Sequence, residues 1–275
     1  MRCELKTSGR TGAAGVVVGA LALSAFAAPA AQAADTGITV SRIVVNGGKS
    51  IIVGTSDEKA PPVTFRITLP AGYSTADPSA YDAEPYLYHG TTAVKGADGG
   101  GLYMGSYTCY ETSARVADCE GELSVDPRYD LDSNSDATTW KIGVAAKLWK
   151  AGGGLRTAEY TTASGTVKVK RWAKATVNAS PEPVTKGKTI TVTGSLKRAD
   201  WVKHTYTGYA GKTVSLQFRK KGSSVYSTVK TATSSGTGAL KTTVKASVDG
   251  YWRWTFGGSS TSGTATAAGD FVDVR

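Results

Sequence analysis

Apolar and polar residues alternate with a period of two through most of this chain, and that alternation narrows the possible folds more than any other feature. Val214, Leu216 and Phe218 fall on one side of a strand, with Ser215, Gln217 and Arg219 on the other. Trp252, Trp254 and Phe256 repeat the pattern against Tyr251, Arg253 and Thr255. A two-residue period sends neighbouring side chains to opposite faces of a pleated strand. Clusters of Gly, Ser, Asp and Pro break the alternation at short intervals, as turns between strands do. No stretch combines apolar spacing at i, i+3 and i+4 with capping signals, so helical bundles and doubly wound α/β folds are excluded. Each strand has one apolar face to cover, which calls for two sheets packed face to face.

The strands group into two sets. Residues 38–45, 63–69, 85–89, 106–110, 119–125, 140–149 and 157–171 form the first. Residues 174–179, 189–197, 213–219, 225–231, 240–248, 251–256 and 265–274 form the second. About seven short strands per segment is the pattern of an immunoglobulin-like (Ig-like) sandwich. The expected class is all-β, with two tandem Ig-like β-sandwich domains after a cleaved signal peptide. The expected boundaries are 1–33 for the signal peptide, 34–171 for an N-terminal sandwich with one disulfide hairpin, and 172–275 for a basic C-terminal sandwich. Lys170, Arg171 and Trp172 mark a junction with almost no linker, so a stiff tandem is expected. Trp252 and Trp254 are expected in the core, where each can bury roughly 200 Å².

Arg2, Lys6 and Arg10 precede an apolar run over residues 13–28 that ends at Ala31-Gln32-Ala33. This is the layout of a secretory signal peptide. The run is too short and too rich in small residues for a membrane anchor. The C-terminal residues, Asp270 to Arg275, carry no sorting motif, and a released or non-covalently retained extracellular protein is expected. Cys109 and Cys119 are the two cysteines beyond the leader. In an exported chain they are expected to pair across a hairpin that turns near Ala114. A redox pair would favour C-x-x-C spacing.

Chemistry-bearing residues are sparse. His89 and His204 are the only histidines, and they lie in different halves. A zinc centre needs more ligands than this, usually with a close His pair. No G-x-S-x-G elbow, P-loop or dinucleotide fingerprint occurs in the sequence. Gly99-Gly100-Gly101 reads as a flexible loop between strands. Asp130, Asp132, Asn134 and Asp136 place oxygens at alternate positions, as a calcium loop does. However, Ser135 stands where Gly is needed and Lys141 where a bidentate Glu is needed, so a polar turn is expected. Paired carboxylates of a glycosidase have no fixed spacing. Asp82 with Glu84, or Glu120 with Glu122, would be arbitrary choices for such a pair. No enzyme, metal or cofactor is expected. A secreted hydrolase with an unrecognised carboxylate site and a calcium-dependent adhesion module are kept as alternatives.

The whole chain carries a formal charge of +10, and the charge is uneven. Residues 172–275 hold 15 Lys and Arg against 5 acids, while residues 34–171 hold 14 against 16. A basic extracellular sandwich attracts polyanions of the cell wall or matrix. Lysines on outer faces and edge strands also serve solubility and block edge pairing. Arg219, Lys220 and Lys221 in a hairpin turn are candidate binding residues. So are Lys203, His204 and Tyr206, in a loop that also carries Trp201 and Tyr209. Packing over the open end of the sandwich is expected for Trp201. The expected partner is a cell-wall or extracellular polyanion, with no membrane span and no sequence-specific nucleic acid.

The run Asn178-Ala179-Ser180-Pro181-Glu182-Pro183-Val184, followed by Lys186-Gly187, Ile190 to Gly194, Trp201, Gly208 to Gly211 and Val214 to Phe218, resembles a recurring C-terminal module of secreted actinobacterial proteins. Thr243 to Gly250 belongs to the same likeness. The part holding Cys109, Cys119 and Val125-Asp126-Pro127-Arg128 is similar to the N-terminal module of those proteins. The resemblance spans nearly all of the chain after the leader. It implies an exported, non-enzymatic protein with tandem Ig-like β-sandwich modules, and it carries over no catalytic or ligand residues.

Overall fold

The computed structural model describes residues 35–275, so the expected signal peptide over residues 1–33 lies outside the described residues. The strands of the first half are β1 (Thr39–Val45), β2 (Ile51–Val53), β3 (Pro62–Thr68), β4 (Tyr81–Tyr88), β5 (Gly101–Leu102), β6 (Met104–Ser113), β7 (Val116–Leu123), β8 (Thr139–Trp149) and β9 (Leu155–Arg171). One sheet has the order β1-β3-β7-β6 and the facing sheet β2-β9-β8-β4-β5. In Ig terms these are the A-B-E-D sheet and the G-F-C sheet. β2 adds to the second sheet by running parallel to β9.

The second half contains β10 (Ala173–Ser180), β11 (Thr189–Asp200), β12 (Thr205–Gly208), β13 (Thr213–Lys220), β14 (Ser227–Thr233), β15 (Ala239–Lys245), β16 (Gly250–Phe256), β17 (Ala265–Thr266) and β18 (Asp270–Val272). β11 is paired by β10, β12 and β15 in one sheet, and β14-β13-β16 continues to β17 and β18 in the other. The expected all-β class holds, with a two-sheet sandwich in each half.

Two apolar cores follow from the alternation. One is filled by residues such as Val53, Phe65, Ile67, Leu87, Leu123 and Trp140. The other is filled by Ile190, Val192, Leu196, Val214, Leu216, Trp252 and Trp254. Both tryptophans of β16 are buried, as expected. Cys109 and Cys119 face each other across β6 and β7 and form the disulfide, with the turn at Ala114 and Arg115.

Two local expectations need correction. A short helix, α1 (Ala93–Ala97), occurs where none was expected. The Thr92 side chain caps it by accepting from the Lys95 amide, and Gly96 lets it settle on Tyr88, where an added Cβ would strike the ring. Five residues are too few for a periodic signal, so the helix comes from tertiary packing. Gly101 belongs to β5, paired with Tyr88, and is not part of a loose loop.

The two halves meet through a dense joint inside one compact unit. Arg171 is buried at the end of β9, and its side chain donates to the Ala199 carbonyl. Burial and the nearby Arg198 pull its guanidinium down to about 10. The Arg171 amide donates to Thr261 and its carbonyl accepts from Gly263. The Trp172 amide donates to Val53, and the Ala199 amide donates to Trp172. The chain thus hydrogen-bonds to both sandwiches while passing from one to the other.

Candidate functional site: a ladder of cations and rings

The outward face of β13 and β16 gathers several partly exposed cations and rings of the basic half. Val214 and Leu216 point into the core, so Gln217 and Arg219 must point out. Pairing sets Arg219 opposite Tyr251 and Gln217 opposite Arg253. Tyr251 in turn pairs with Phe271 on β18. One row across three strands is therefore Arg219, Tyr251 and Phe271, with Arg253 in the next row.

Tyr226, just before β14, reaches across this face to Gly269, where an added Cβ would collide with its hydroxyl. The Arg253 guanidinium lies 3.6 Å from the centre of the Tyr226 ring. Arg219 is 5.3 Å from Tyr226 and 4.1 Å from Tyr251. The Tyr251 and Phe271 rings are 5.1 Å apart, and the Lys221 ammonium is 5.4 Å from Phe271. Cations and rings thus interleave in an ordered ladder, with one ring–ring step between Tyr251 and Phe271. Each contact is worth about 0.5–1 kcal/mol at a partly exposed site.

The ladder leaves positive charge available. Among the described residues, neither Arg219 nor Arg253 has a carboxylate partner. Arg253 donates Nε–H to Gln217 at 2.9 Å, and Arg219 donates to the Ser223 carbonyl. Each guanidinium has five N–H donors in a planar fork, so most remain free of protein acceptors. Lys221 sits 3.4 Å from Asp249, whose carboxyl is held below its ordinary range first by the Val274 amide and then by Lys221. Lys220 is exposed at the end of β13.

The candidates from sequence separate into two places. Arg219 and Lys221 come together at the ladder, whereas Lys220 falls on the alternate phase of β13 with Leu216 and Phe218 and makes none of its contacts. Lys203, His204 and Tyr206 lie at the joint. Trp201 is 0% exposed, and it fills the core of the first sandwich. This corrects the expectation that it would cover the sandwich from which it extends. Its indole N–H donates to the Gly54 carbonyl at 2.8 Å and its amide to Asn134 at 3.0 Å. Asn134 also donates to Asp200 at 3.0 Å. The Tyr206 ring is half-buried, carries the Lys174 ammonium at 3.8 Å, and has its hydroxyl raised by burial and Asp57. Lys203 and His204 are exposed, and the Lys203 amide donates to Asp200.

Asp130, Asn134 and Asp136 of the acidic turn are engaged internally, while Asp132 is exposed. Asp130 accepts from the Asp126 amide, and Asp136 accepts from Ser133 and lies 3.3 Å from His89 Nε2. Asn134 is committed to the joint. Among the described residues no group of three or more His, Cys, Asp or Glu is arranged to hold a metal ion.

Sequence alone does not single out Arg253, Tyr226, Tyr251, Phe271 or Gly269 as site residues. The alternation already put Arg253 and Tyr251 on the outward face. What it lacked was the register that aligns them with Arg219.

No protein-family model matches this chain, and no curated protein matches it. Solved structures do match. A marsupial T cell receptor shares 10% identity at a TM-score of 0.37, covering 86% of this chain and 73% of the other. The D00-D0 domain of intimin shares 13% identity at 0.27, covering 86% and 98%. The mouse nectin-like molecule 4 ectodomain shares 12% identity at 0.25, covering 86% and 65%. Scores this low carry no argument, and the architecture stands on the strand pairing itself.

Proposed function

We propose that this chain is an exported, non-catalytic binding protein that holds an anionic polymer of the cell envelope or extracellular matrix. The resemblance to secreted actinobacterial proteins and the signal-peptide layout support export. The observation that carries the binding role is the pair Arg219 and Arg253, fixed on aromatic faces and unpaired with any carboxylate among the described residues. A stacked guanidinium keeps its N–H edges free to bind a phosphate or carboxylate bidentately, and its fork is already ordered before the ligand arrives. Lys221, over the Phe271 ring, extends the same positive edge. The excess of 15 basic over 5 acidic residues in this half draws the polymer in from a distance.

The test is cosedimentation of the purified protein with isolated cell walls of the producing organism. Binding at low salt is expected, with loss as rising salt screens the attraction. An Arg219→Ala/Arg253→Ala double variant is expected to bind about thirtyfold more weakly while keeping its fold, since each of the two lost charged contacts is worth about 1 kcal/mol. Failure of the parent protein to bind at low salt, or unchanged binding by the double variant, would overturn the reading.

A further inference from the structure

The end of the first sandwich formed by the loop at 71–80 and the turn at 150–156 encloses a cleft of about 1010 Å³. Ligand pockets span about 300–1,000 Å³, so there is room for more than one ring-sized unit. We propose that this cleft binds an uncharged saccharide chain.

Three partly exposed rings line it: Tyr73, Tyr107 and Trp149. They come from separate parts of the chain, the 71–80 loop, β6 and β8, so the fold gathers them. Between them lies Asp82, whose side chain is 33% exposed. The Tyr107 hydroxyl donates to it at 3.3 Å, and the Lys147 ammonium lies at 3.5 Å. These contacts fix the carboxylate and leave acceptor capacity open to the cleft. Across the cleft, Arg156 donates to the Tyr73 hydroxyl at 3.1 Å, which orients the ring and leaves further N–H donors.

This lining selects by exclusion. Asp77 and Asp82 balance Lys150 and Arg156 around the opening, so the cleft has no excess charge to draw in a polyanion. A wholly apolar ligand would strip water from Asp82 and Arg156 without replacing it. A pyranose chain satisfies both conditions. Its C–H faces lie on the rings, and its edge hydroxyls both donate to Asp82 and accept from Arg156. The cleft and the cation ladder lie on different sandwiches and use no common residue.

The test uses the purified protein, isothermal titration and tryptophan fluorescence, with soluble hexamers of N-acetylglucosamine, glucose and xylose as probes. At least one hexamer is expected to bind with Kd below about 1 mM. Binding is expected to persist at about 0.5 M salt, because no net charge attraction drives it. Trp149→Ala and Asp82→Asn are each expected to weaken it about tenfold, whereas Arg219→Ala/Arg253→Ala leaves it unchanged. Should Trp149→Ala fail to fold, the exposed Arg156→Ala takes its place with the same expectation. The proposal is overturned if none of the three hexamers binds, if the cleft variants bind like the parent, or if salt abolishes binding.

Discussion

Replacing Trp201 with Ala probes how the two sandwiches are joined. Trp201 follows β11 of the second sandwich but is wholly buried in the core of the first. A buried Trp removes roughly 150–250 Å² from water. At about 25 cal/mol per Å² that is about 4–6 kcal/mol, and compactness of the unfolded chain lowers it to about 3–4 kcal/mol. Loss of the indole N–H leaves the Gly54 carbonyl without its donor, which adds about 1 kcal/mol. The total, about 4–5 kcal/mol, agrees with other buried Trp→Ala truncations. For a unit of this size it corresponds to a fall in Tm of about 10–15 °C. Urea unfolding and calorimetry give the energy. Hydrogen exchange locates it, and the new openings are expected in β2 and β9 as well as around residue 201. Trp201→Phe keeps much of the ring and loses the N–H, so about 1–2 kcal/mol is expected. A loss below about 1 kcal/mol for the Ala variant, or exchange changes confined to the second sandwich, would refute the view that this side chain fastens the halves together.

Glu84 gives a pH signature. Burial and the neighbouring Asp82 raise its carboxyl from 4.5 to about 7, against a smaller opposing pull from Lys147. An acid whose pKa is raised on folding stabilises the fold while protonated, so stability falls as pH rises from 4.5 to about 7 and then levels. Glu84→Gln is expected to flatten that slope and to be more stable at pH 8 by about 2 kcal/mol after allowance for solvent screening, as read by urea unfolding across pH. At the ladder, Gly269→Ala drives a methyl into the Tyr226 hydroxyl and 3.2 Å from Tyr251 Cβ. It is expected to cost about 1–2 kcal/mol by thermal unfolding and to weaken cell-wall cosedimentation in the same direction as loss of Arg253.

Much of this fold is legible in the alternation. The faces assigned to residues 214–219 and 251–256 are those of β13 and β16, because the pleat allows only two orientations and the core accepts the apolar one. The cysteine hairpin was equally readable, since two cysteines ten positions apart suit adjacent antiparallel strands. The ladder was half legible: Arg219 and Lys221 stood out as charges in a turn, whereas Arg253 and Tyr251 read as ordinary outward residues. Tyr226 had no signal at all, because its role depends on lying across three strands to reach Gly269.

The sequence by itself determined the class, the facing of β13 and β16, the cysteine pair and the uneven charge. These depend on local periodicity and composition. Only the tertiary structure decided which strands became neighbours and in what register. It set Arg219 beside Tyr251, placed Trp201 in the core of the opposite sandwich, and collected Tyr73, Tyr107, Trp149 and Asp82 around one cleft. The physical reason is that a period of two gives each side chain a face but no partner. Partners come from pairing strands far apart in the chain, where the fit of buried surfaces and backbone hydrogen bonds, rather than local pattern, selects among the alternatives.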